Sequence, residues 1–112
     1  MKKKTIPNTY RQGDVLIIAT RKIPNGLTPV KRDKGRVVLA YGEITGHAHA
    51  IASRDARLLE GEDLNVRFLE VLADGGVALR HEEHATITIP RGTYRVVRQR
   101  EYAPDAIRNV AD

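Results

Sequence analysis

A chain of 112 residues, 41% of them hydrophobic, fits one domain and can bury a core without a disulfide or an obligatory structural metal. It contains no cysteine, which excludes disulfides, thiolate metal sites and thiol nucleophiles, and fits a reducing cytoplasm. The net charge is +5, but without Lys2, Lys3 and Lys4 the 19 Lys and Arg residues fall to 16 against 14 Asp and Glu, a body charge of +2.

No apolar run follows the basic start, and no stretch approaches membrane-spanning length, so a soluble chain with no membrane partner is expected. Lys2, Lys3 and Lys4, the cluster Lys31, Arg32, Lys34 and Arg36, and Arg95 and Arg98 are the candidate contacts for nucleic acid or an acidic partner. The competing reading is a solubilising tail and solvated loop charges. The aromatic residues favour it: Tyr10, Tyr41, Phe68, Tyr94 and Tyr102 are few and not interleaved with the basic clusters as a base-stacking platform requires. Self-association as a homo-oligomer is a further partner class.

In chain order, residues 1–12 read as a basic tail leading into the first strand, and residues 13–112 as a single β domain. Residues 14–20, Asp-Val-Leu-Ile-Ile-Ala-Thr behind Gly13, predict a core strand, and Pro24-Asn25-Gly26 a turn. The Arg11-Gln12-Gly13-Asp14 run reads as ordinary chemistry for the approach to that strand. Residues 22–35 look like a long loop. Residues 36–52 form the longest strand-like stretch, bent or broken at Gly42 or Gly46. Further strands are expected at 56–59, 65–72, 77–80, 85–89 and 93–100, with Asp74-Gly75-Gly76 and Pro90-Arg91-Gly92 as turns, the first closing a hairpin. Residues 104–111 have a helical cast, with Pro104 suited to a first turn and Ile107 and Val110 three apart. Short strands at this spacing indicate an all-β fold, a small antiparallel barrel or sandwich with a short C-terminal helix.

All four histidines fall in two close pairs, His47-Ala48-His49 and His81-Glu82-Glu83-His84. If residues 41–51 run extended, Tyr41, Glu43, His47 and His49 share one face while Ala48 and Ala50 pack inward on the other. The i, i+2 pair then stands roughly 6–7 Å apart at Cα, a spacing that suits one ion. His81 and His84, at i, i+3, share a side only in a helical or tight turn, which Glu82 and Glu83 favour. Should that turn abut the first pair, His47, His49, His81 and His84 make a nitrogen-rich site for zinc, iron, nickel or manganese. Glu43, Glu82, Glu83 and Tyr41 would then serve as oxygen ligands or orienting partners. Two other readings compete: ordinary surface histidines, and a metal-free site in which paired imidazoles with Arg95 or Arg98 cleave RNA.

The motifs Gly46-His47-Ala48-His49, Leu58-Leu59-Glu60-Gly61-Glu62, Asp74-Gly75-Gly76 and Ile89-Pro90-Arg91-Gly92-Thr93-Tyr94-Arg95 follow the order of the two cupin motifs, and residues 42–97 resemble that family. The resemblance implies a small barrel and, carried over residue by residue, His47 and His49 as metal ligands. Ala52, Ser53 and Arg54 stand where the pattern has its glutamate, and Arg95 where it has its last histidine, so His84 would have to reach the ion from another place. There is no phosphate-binding glycine loop, dinucleotide fingerprint or serine nucleophile elbow, which argues against nucleotide-dependent chemistry.

Overall fold

The computed structural model describes residues 8–42, 44–63 and 66–99. The expected helix over 104–111, Glu43 and the tail lysines Lys2, Lys3 and Lys4 lie outside the described residues. Ten strands form: β1 (Thr9–Gln12), β2 (Val15–Ala19), β3 (Thr28–Pro29), β4 (Val37–Tyr41), β5 (Ala48–Ile51), β6 (Ala56–Glu60), β7 (Arg67–Val71), β8 (Val77–Arg80), β9 (Ile87–Ile89) and β10 (Gly92–Arg98). They make a six-stranded sheet, β1-β2-β10-β7-β6-β3, and a four-stranded sheet, β4-β5-β8-β9. Every strand pair is antiparallel. The fold is all-β; among the described residues no ladder joins the two sheets into a closed barrel, and no helix is long and apolar enough to cross a membrane.

Alternation along the strands makes one shared core. Val15 and Ile17 of β2, Leu58 of β6, Leu69 and Val71 of β7 and Val96 of β10 meet Val37 and Leu39 of β4, Ile51 of β5, Leu79 of β8 and Ile89 of β9. Burial of each such side chain stabilises the fold by about 1.5–3 kcal/mol. β1 obeys the same period: Tyr10 packs on this core, and Gln12, two residues on, is buried at 3% exposure.

Several local signals acted differently from their expected use. The 36–52 stretch does break, into β4 and β5, with Gly42 N–H donating to His47 O across the intervening turn. The loop at 31–36 is a tight reversal, with Asp33 bridged to Arg36 and both Lys34 (φ 57°) and Gly35 (φ 82°) left-handed, as a type I′ turn requires. Asp74-Gly75-Gly76 does not close a hairpin. It carries the chain from β7 in one sheet to β8 in the other, and Pro90-Arg91 likewise passes from β9 to β10. Turn chemistry reverses the chain, but the choice of pairing partner belongs to the sheet.

The Ala48 and Ala50 face also differs from expectation. These alanines form a separate small cluster with Val38, beneath a cavity of about 310 Å³ bordered by Arg36, Arg80 and Thr86. The face carrying His49 and Ile51 is the one that points between the sheets, since Ile51 belongs to the main core. Alanine is small enough for the outer face, where flanking side chains cover it; the larger apolar residues take the interior.

Candidate metal centre

Three turns and the end of β10 meet at one end of the two sheets: Gln12-Gly13-Asp14 between β1 and β2, Gly42, Ile44 and His47 between β4 and β5, and His81, Glu83 and His84 between β8 and β9. They enclose a cavity of about 350 Å³ lined in part by Asp14, His47, His49, His81, Glu83, His84 and Arg98. All four histidines are therefore in one place. Ring centroids are 4.3 Å apart for His49 and His81, 4.7 Å for His81 and His84, 5.7 Å for His47 and His81, and 5.8 Å for His49 and His84.

His49, on β5, is 97% buried at 3% exposure. Its Nδ1 lies 2.8 Å from Gln12 Oε1. The Gln12 amide nitrogen donates to Leu79 O at 2.9 Å and to Ala85 O at 3.0 Å, which uses both of its protons and fixes which end of the amide is oxygen. The His49 proton must then sit on Nδ1, where it donates to Gln12, and Nε2 keeps its lone pair. Burial, reinforced by the nearby His81, pulls the His49 pKa down to about 4, so the ring is neutral at physiological pH. Nε2 lies 3.7 Å from Asp14 Oδ1, while Asp14 Oδ2 accepts from Arg98 Nε at 3.2 Å.

The β8–β9 turn supplies the other arm. Glu82 Oε1 accepts from Ala48 N–H at 2.9 Å, which ties this turn to the His47–His49 segment and holds the Glu82 carboxyl below its ordinary range. A ligand atom from each of His47, His81 and Glu82 falls within 4.8 Å of the other two, close enough to converge on one cation. Glu83 Oε2 lies 3.5 Å from His47 Nδ1. Glu83 N–H donates to His81 Nδ1 at 3.0 Å, so the neutral His81 ring carries its proton on Nε2. A cation bound through His81 must displace that N–H or shift the ring proton.

Two glycines make room for the rings. Gly13 has φ +61°, and a Cβ there would come within 2.7 Å of His84 Nε2 and 3.2 Å of His49 Cε1. As the first residue of a two-residue hairpin loop with only this left-handed position, it follows the type II′ pattern. A Cβ on Gly42 would approach His47 Cβ at 3.0 Å.

Tyr41, expected beside the imidazoles, is not. Its hydroxyl donates to Asp33 Oδ2 at 2.6 Å, which raises its pKa. The extended run assumed over 41–51 is interrupted by a turn, so the parity linking Tyr41 to His47 is lost. Arg95, exposed between the buried Tyr94 and Val96, projects from the opposite face of β10, away from the histidines. Arg98 lines the cavity. Arg32 is spent on the backbone, donating to Gly35 O, Ser53 O and Ala56 O; Lys31 and Lys34 are exposed. Gln12, Gly13 and Asp14 are the site residues that sequence reasoning missed. Their one signal was a glutamine two positions from Tyr10, on the inward parity of β1.

The architecture and site define an all-β domain with a histidine cluster at one end, His49 buried, His47 and His81 half-buried and His84 exposed. The chain belongs to a domain family of unknown function, DUF8820, whose model matches residues 11–99, a span that includes every one of these histidines and Gln12, Gly13 and Asp14. No curated protein and no solved structure matches it.

Proposed function

We propose that this domain binds a divalent transition-metal ion in the histidine cluster, with ligands drawn from His47, His49, His81, His84 and Glu82. The carrying observation is His49, a buried imidazole whose Nδ1–H is held by Gln12 and whose Nε2 lone pair is turned to the cavity. A metal-ligating histidine is ordinarily oriented by such a partner on its other nitrogen. An imidazole-rich set with carboxylates suits zinc, iron(II) or nickel ahead of manganese. The likeness to cupins supports the His47–His49 arm alone. Elemental analysis of untagged protein tests this reading: stoichiometric metal in the wild type and a lower content in His49→Gln are expected. Metal-free wild type after incubation with zinc, nickel, manganese and iron(II) sinks it.

One observation favours a metal-independent alternative. The His81 ring lies 4.3 Å from that of His49, and an imidazolium there would be the acid beside the base Nε2 of His49, the pairing that general acid–base cleavage of RNA uses. Cleavage of RNA that persists in chelator and disappears in both His49→Gln and His81→Gln is the result that selects it.

A further inference from the structure

The cavity of about 310 Å³ over Ala48 and Ala50 opens on the outer face of the β4-β5-β8-β9 sheet, and Arg36 and Arg80 both border it. Strand register puts them there. Val38 pairs with Ala50, and Ala50 with Arg80, so these three side chains share one side of the sheet. Arg36, two residues before Val38, shares it by alternation. β4 and β8 flank β5 and therefore stand about 9–10 Å apart, a span that two arginine side chains can close around one group. Neither guanidinium has a hydrogen bond or ion pair among the described residues. The Asp33 carboxylate, on the residue bridged to Arg36, is taken by the Tyr41 hydroxyl. Among the described residues Glu82 is the one carboxylate on the border, and its Oε1 accepts from Ala48 N–H. Two positive charges thus face one open space with a single negative charge beside them.

We propose that this cleft is an anion-binding subsite, in which Arg36, Arg80 and the Thr86 hydroxyl hold the phosphoryl group of a small phosphate monoester. A doubly charged group with three terminal oxygens matches two guanidinium forks and a hydroxyl; a carboxylate offers the same chemistry with one charge fewer. The cavity is at the small end of ligand pockets, which suits a single small molecule and not a polymer. Ala50, directly opposite Arg80, leaves the space between the arginines open, where a longer side chain would fill it. His81 borders this cleft and the histidine cluster alike, so a molecule anchored by its anionic end at the arginines extends toward the imidazoles. The subsite is independent of the metal-centre reading, because no ion takes part in it.

The test is a titration of untagged, chelator-treated, nitrogen-15-labelled full chain with phenyl phosphate and with benzoate at constant ionic strength, followed by amide chemical shifts. Saturable shifts are expected at Ala48, Ala50, Ala52 and Thr86, with phenyl phosphate binding more tightly than benzoate. Arg36→Gln and Arg80→Gln should each weaken binding by about tenfold, the loss of one charged hydrogen-bonding partner. The same spectra show whether each variant is folded, and should one fail, the other variant and the wild-type map decide. Shifts that do not saturate, shifts centred on Lys31 and Lys34, or equal affinity in wild type and both arginine variants overturn the subsite. Tighter binding of benzoate overturns the phosphate assignment and makes the ligand class a carboxylic acid. Metal content, measured separately, is untouched by any of these results, so the metal-centre reading stands or falls on its own.

Discussion

Gln12 Oε1 and His49 Nδ1 are 2.8 Å apart in the interior, and both side chains are 3% exposed. Gln12 has every polar atom engaged, joining β1 to β5, to β8 through Leu79 O and to the β8–β9 turn through Ala85 O. Gln12→Met keeps the length but leaves two carbonyls and the His49 N–H without their partner. Each orphaned group costs about 1–3 kcal/mol, offset in part where water enters. The expected outcome is a loss of about 2–4 kcal/mol in urea denaturation with an unchanged m value, together with weaker metal binding. A variant as stable as the wild type would show that Gln12 does not organise the site.

The His49 pKa of about 4 sets a pH dependence for the metal-free protein. The unfolded ring titrates near 6.5, so between these values the unfolded state binds the proton that the folded state refuses. Stability contributed by neutral His49 is complete above 6.5 and declines as pH falls toward 4. A shift of this size corresponds to up to about 3 kcal/mol. Chelator-treated wild type should therefore lose stability across this window, and His49→Gln should show a shallower slope. Parallel slopes in the two proteins would place the pH dependence elsewhere.

Gly13→Ala separates the site from the fold. The left-handed φ costs an alanine about 1 kcal/mol, and the clash at 2.7 Å is with the far end of the His84 ring, which can swing aside. Stability should fall by about 1–2 kcal/mol while metal affinity falls at least tenfold, since the displaced ring leaves its place over the turn. Isothermal titration beside thermal unfolding reads both. Unchanged affinity would mean that His84 has no part in binding.

Much of this was legible in the sequence. The β-branched runs at 14–20 and 93–100 carry the period of the core strands, and Gly42 and Gly46 do bracket the break between β4 and β5. The histidine pairs were visible, but their convergence was not: it depends on β5 pairing with β8, with Ala50 opposite Arg80, a contact set by sheet packing. Asp14 and Gln12 were hidden for the same reason. A glutamine beside Gly-Asp is common turn chemistry, and only the long-range contacts from Gln12 to Leu79 and Ala85 give it another meaning. β1 and β3 escaped because four- and two-residue strands lack a readable period.

The basic cluster at 31–36 divides in the same way into residues that hold the fold and residues that face solvent. The Arg32 guanidinium donates to three carbonyls, tying the β3–β4 segment to Ser53 and to Ala56 at the start of β6. Hydrogen bonds from a charged donor are each worth about 1.5–3 kcal/mol when shielded, and less at the surface. Arg32→Ala should cost about 1–2 kcal/mol of stability, whereas Lys31→Ala and Lys34→Ala should stay within about 0.5 kcal/mol of wild type. If the cluster also engages a polyanion, the two lysine variants should each reduce the salt dependence of binding by about one phosphate contact. Fluorescence anisotropy with labelled RNA over a salt series measures this, and identical slopes in all three proteins would confine Lys31 and Lys34 to solvation.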